Sequence, residues 1–135
     1  MKTPVNINPS QITTTSQTAG CVYKYFVVPR TQTAFTDAID VPAHLVPIHA
    51  STHSLGVVSD AGTSAVIQIA EKTSGTVLAQ NDVKTSLASI VAVNVQPLLV
   101  KDRADAVFQA KIVETGTAST TGGPWLVALE CMAVG

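Results

Sequence analysis

The sequence predicts an all-β fold: a single antiparallel domain built as a sandwich, jelly roll or barrel. Three observations carry that expectation. Short segments that alternate apolar and polar residues with a period of two recur along the chain, each bounded by turn residues. No window holds an apolar stripe over three or four helical turns. The last part of the chain, Asp105 to Gly135, reads as two strands, Ala106 to Glu114 and Trp125 to Val134, with Thr115 to Pro124 between them as a hairpin connection. At 135 residues the chain is one domain by size. It divides into an extended arm, residues 1–20, and a sandwich domain, residues 21–135.

The arm carries one charge, Lys2, and is dominated by Thr, Ser, Asn and Gln with Pro4 and Pro9. It has too little apolar surface to fold alone. Val5, Ile7 and Ile12 are its expected contact residues toward a neighbour. Cys21 to Val28 is the first strand of the domain, with Cys21, Tyr23, Tyr25 and Val27 on one face and Val22, Phe26 and Val28 beside Lys24 on the other. Pro29 ends it, because proline donates nothing to a ladder. Ala34 to Val41 is a shorter strand that stops at Pro42. His44 to Val58, interrupted by Pro47 and Gly56, is either two strands or one bulged strand. Asp60 to Gly62 is a turn, Ala65 to Ala70 a strand, Glu71 to Gly75 a turn, and Thr76 to Ala79 extended again. Asp82 to Ala92 is the one place for a short helix, while Leu87 to Val100 supplies one or two apolar strands around Pro97.

In the strand from Ala106, the residues Phe108, Ala110 and Ile112 share a face opposite Gln109 and Lys111, as in a half-buried strand. The final strand is apolar on both faces: Trp125, Val127, Leu129, Cys131 and Ala133 point one way, and Leu126, Ala128, Met132 and Val134 the other. Glu130 is its only charge. Such a strand needs two covers, the domain core and a second protein surface. Trp125, Leu126, Val127, Met132 and Val134 are therefore the expected interface residues of the domain.

Charged residues make up 13% of the chain, about half the ordinary share. No run reaches the roughly 20 apolar residues of a membrane helix. The net charge of −1, with lysines and arginines scattered among acids, gives no footprint for nucleic acid. Without a secretory leader, Cys21 and Cys131 are expected as buried thiols, a disulfide between first and last strands being the alternative. His44, His49 and His53 lack both the HExxH pattern and the His-x-His of metal-binding jelly rolls, so they are expected as surface or interface residues. Asp60 to Ser64 lacks the paired aspartates of an aspartic protease, and no nucleophile elbow or phosphate loop occurs. These absences point away from catalysis, and no metal or cofactor is expected.

Four segments carry a resemblance: Thr36 to Pro42, Thr76 to Thr85, Glu114 to Gly123, and Leu129 to Gly135. In these, and in strand order from residue 21 onward, the chain resembles the capsid cement or decoration proteins of tailed bacteriophages. The resemblance implies a jelly-roll sandwich with no enzymatic activity. It implies binding to the outer surface of the expanded capsid as a dimer or trimer, with the major capsid protein as partner. There the protein would bridge capsomers against internal DNA pressure and reside on the virion exterior. The alternatives are another virion component, such as a head-fibre base or tail protein, and a ligand-binding jelly-roll module.

Overall fold

The computed structural model describes residues 15–18, 21–94 and 105–133. These residues form nine strands and no helix. In chain order they are β1 (Thr15–Thr18), β2 (Cys21–Val28), β3 (Thr36–Val41), β4 (Leu45–Val57), β5 (Ser64–Glu71), β6 (Val77–Asp82), β7 (Ala88–Ala92), β8 (Ala106–Thr115) and β9 (Gly123–Ala133). They make two antiparallel sheets, a five-stranded one in the order β1-β2-β9-β4-β7 and a four-stranded one in the order β3-β8-β5-β6. The sheets pack face to face as a β-sandwich.

Alternation builds the core. From the five-stranded sheet, Phe26 and Val28 of β2, Ala50 of β4, and Trp125, Val127, Leu129 and Cys131 of β9 turn inward. From the other sheet come Ala65, Ile67 and Ile69 of β5 and Phe108, Ala110 and Ile112 of β8. Asn81 of β6, with no exposed surface, ties the layers together: its side-chain amide donates to the Ala50 carbonyl at 3.0 Å and the Ser89 carbonyl at 3.4 Å. Fully buried polar groups need such partners, or burial costs more than packing returns.

Several expectations need correction. The two strands of the C-terminal part are not a hairpin. β8 lies in the four-stranded sheet between β3 and β5, and β9 in the five-stranded sheet between β2 and β4. The connecting residues cross from one layer to the other, because both strands have an inward apolar face and each must meet the other's sheet across the core. Asp82 to Ala92 holds no helix; it is a turn leading into β7. The arm gives up four residues, Thr15–Thr18, which pair with β2 from Thr15↔Lys24 to Thr18↔Cys21. The remaining arm residues Val5, Ile7 and Ile12, and Val134, lie outside the described residues. The stretch from His44 resolves as one long strand with irregularities between Pro47 and His49 and between Ser54 and Val57.

The cysteines do not pair. Cys21 stands opposite Met132 and Cys131 opposite Val22, which puts the two thiols on opposite faces of one sheet. Burial pushes the Cys131 thiol up to about 11. No described helix is long and apolar enough to cross a membrane.

Candidate docking face

The outer faces of the two sheets differ in chemistry. On the four-stranded sheet, Lys111, Gln68 and Gln80 stand side by side on β8, β5 and β6. Gln68 donates to Gln80 at 3.1 Å, and Asp37 accepts from Gln109 at 2.8 Å and from Lys72 at 3.0 Å. Val66 and Val113, paired and half-buried, lie beside that row with Val107 further along β8, and the Lys111 ammonium stands 4.4 Å from the Phe35 ring centroid. This face is wet, and its polar groups bond to one another.

The five-stranded sheet is the reverse, and register shows how its outer face is laid out in rows. Val27, Leu126, His53 and Ala88 form one row across β2, β9, β4 and β7. Tyr25, Ala128, Ser51 and Ile90 form the next, and Tyr23, Glu130, His49 and Ala92 the third. Cys21 and Met132 continue the face. All six large hydrophobic residues that stay exposed among the described residues (Val27, Leu55, Val57, Leu87, Ile90 and Met132) lie on strands of this sheet or, for Leu87, just before one. Ile90 is 67% and Val27 51% exposed at opposite margins of the face.

The relief of the face follows from residue size. Tyr23 and Tyr25 stack along β2 with ring centroids 6.4 Å apart, and Ile90 stands on β7. Between these ridges the middle row holds only Ala128 and Ser51. A shallow groove along the β4 and β7 side is lined by Ser51, His53, Ala88 and Ile90.

One side-chain pair joins neighbouring strands on this surface, beside the polar Ser51 and His53. His49 Nδ1 lies 3.2 Å from Glu130 Oε1 on the neighbouring strand. The charge of Glu130 raises the titration of Tyr23 beside it; for Cys21 burial raises it first and Glu130 second. These groups form a compact polar island in the third row.

Of the expected interface residues, the structure places Leu126 and Met132 on this face, Leu126 half-buried and Met132 47% exposed. Trp125 and Val127 are corrected: each has no exposed surface and packs in the chain's own core. Odd-numbered positions of β9 point between the sheets, so only its even-numbered positions reach a partner. Sequence reasoning missed the contribution of β2, β4 and β7. The signal for β2 was present, since Tyr23, Tyr25 and Val27 share a face while Phe26 and Val28 fill the other. His49 and His53 lie on the face and His44 in an exposed turn, as surface residues. Among the described residues no group of three or more His, Cys, Asp or Glu stands close enough to hold a metal ion.

A second polar cluster lies at one end of the sandwich, and its charged groups bond within the chain while the buried Ser119 hydroxyl has no partner. Asp60 accepts from the Thr120 and Thr121 amides at 2.7 and 2.9 Å and from the Thr120 hydroxyl at 2.7 Å. Arg30 donates to the Ser119 carbonyl at 2.9 Å. These bonds fasten the connection from β8 to β9; they leave little for a ligand.

Compared with protein-family models, curated proteins and solved structures, the chain matches none.

Proposed function

We propose that this protein is a structural component of a phage virion, which holds to the outer surface of the capsid and cements neighbouring capsomers against internal DNA pressure. The outer face of the five-stranded sheet carries the reading. It is a largely apolar surface broken by the His49–Glu130 pair, Ser51 and His53, on a chain whose other sheet is mostly polar, and contiguous exposed apolar surface of this kind marks a protein contact. The low share of charge, 13%, fits a domain that spends its life among other proteins. The strand order supports the reading as well. Leaving β1 aside, the chain changes sheet at every connection but the β5–β6 hairpin, so that β2-β9-β4-β7 faces β3-β8-β5-β6, an arrangement we read as a jelly roll, the fold of many capsid domains. Fold alone assigns no role, and the assignment to a shell comes from the resemblance described above.

A cement needs contact with the shell and benefits from contact between copies. Val5, Ile7 and Ile12 of the N-terminal segment are assigned to the shell, where an extended chain can add to an exposed sheet edge or lie in a groove. Many copies on one closed lattice act together, so modest affinity per copy suffices.

Gold-labelled antibody against this chain, imaged on purified virions, tests the proposal. Label should stud the outside of heads, and heads lacking the protein should rupture at lower temperature. A truncation lacking residues 1–14 should remain folded, since β1 begins at Thr15, and be lost from heads. Bare heads overturn the reading, and label confined to tails replaces it with a tail component.

A further inference from the structure

The third row of the docking face is complementary to itself. Glu130 on β9 and His49 on β4 are direct cross-strand neighbours, and β9 and β4 are the two middle strands of the four that build the rows. A two-fold axis lying in the plane of the face, along the strands and between these residues, would carry β9 onto β4 and β2 onto β7. Glu130 would then stand over His49 of a second copy, and His49 over its Glu130. Within one chain the pair uses His49 Nδ1 and Glu130 Oε1, and Tyr23 and Cys21 also bond to the Glu130 carboxylate, which leaves His49 Nε2 to reach Glu130 of the other copy.

We propose that this face is filled by a second copy of the chain, packed sheet against sheet about that axis. The inference rests on the reading that the face exists to be covered by protein, and it names the cover. The remaining rows agree with it. The small residues Ala128 and Ser51 meet at the centre, where close approach lets the two His49–Glu130 pairs join, and Tyr25 and Ile90 close over the margins. The four overlapping strands at ordinary spacing, β1 falling outside the overlap, and about seven residues of rise cover roughly 460 Å² per copy in projection. Two copies thus cover about 900 Å² in projection, close to the roughly 1,000 Å² of a specific interface and at the small end, where modest affinities lie. Aligned packing of two twisted sheets is a standard arrangement of apolar faces. An apolar shell partner would leave Glu130 buried with no donor beyond those of its own chain, whereas a second copy brings a matching histidine with it.

Sedimentation and light scattering of the purified full-length chain test the proposal without any capsid. The wild type should be a dimer at micromolar concentration. Ala128→Arg, at the centre of the face, should be a folded monomer with an unchanged β-sheet spectrum. Glu130→Lys and His49→Glu should each weaken the dimer at least about 10-fold, the lower end for a close charge pair, because each change acts at both symmetric contacts. Mixed together, those two variants should form a heterodimer, because the lysine introduced in one then stands over the glutamate introduced in the other. The unaltered His49 and Glu130 of the two chains still meet. A contact that does not cross the two chains reciprocally gives no such rescue.

A monomeric wild type overturns the proposal, as does a dimer indifferent to Ala128→Arg, or the absence of heterodimer on mixing. A monomeric wild type whose Ala128→Arg variant loses binding to heads gives the face to the shell instead. In that case the cement reading stands and the second copy falls, so the two failures are distinguishable.

Discussion

Trp125 shows how one side chain can serve the core while its neighbours serve a partner. Its indole has no exposed surface and lies against the backbone of Gly122 and Gly123. A Cβ on Gly123 would stand 2.5 Å from the ring, and the positive φ of 59° there already favours glycine. The two glycines are thus required by the tryptophan, not by a phosphate or a ligand. Trp125→Ala removes the largest fully buried side chain of the described core. The expected cost is about 3–5 kcal/mol, the range for truncating a buried large aromatic. Domains of this kind have only about 5–15 kcal/mol to lose. Chemical denaturation should show that loss in the isolated protein. A variant of unchanged midpoint that only binds its partner less well would return Trp125 to the interface.

At the scale of elements, the connection from β8 to β9 shows what the sequence conveyed and what it did not. The strands themselves were legible from period two: Phe108, Ala110 and Ile112 against Gln109 and Lys111 in β8, and the double apolar pattern of β9. Pairing was not, because alternation says which way side chains point and nothing about which strand lies alongside. Two adjacent strands with turn residues between them look alike whether the chain folds back in one sheet or crosses to another. What holds the crossing in place is the anionic side chain of Asp60, contributed from the connection between β4 and β5. Its carboxyl is held well below the usual carboxylate range, first by the Thr121 amide, then by the Thr120 hydroxyl and amide. A carboxyl whose titration is lowered in the folded state stabilises that state fully above its unfolded value of about 3.9, and the contribution fades as pH falls toward the folded value. Asp60→Asn should therefore melt below the wild type at pH 7, and the gap should narrow as both are acidified below about pH 4. Melting curves recorded across that range check it; a gap that is the same at pH 7 and pH 2 would remove the carboxylate from the account.

The whole molecule is two-sided, and that asymmetry is where sequence reading stopped. It was legible that β9 needs two covers. That β2, β4 and β7 add to the same outer face was not, because the rows Val27–Leu126–His53–Ala88 and Tyr25–Ala128–Ser51–Ile90 join residues far apart in the chain. Sidedness predicts unequal tolerance to charge. Val27→Lys with Ile90→Lys places two lysines at the margins of the five-stranded face; Asp40→Lys with Gln80→Lys does the same on β3 and β6 of the outer face of the four-stranded sheet. All four positions are exposed, so each double variant should stay within about 1 kcal/mol of wild-type stability, at up to about 0.5 kcal/mol per surface substitution. The pairs should part in association. Lysines at the apolar margin are desolvated when the face is covered, at a cost of several kcal/mol if unpaired, whereas lysines on the wet face remain in water throughout. Self-association measured by sedimentation, and retention on heads measured alongside it, should fall for the first pair in at least one assay and for the second pair in neither. Equal loss from both would mean that the molecule meets its partners with both sheets, and the contrast between a greasy and a wet face would have no functional weight.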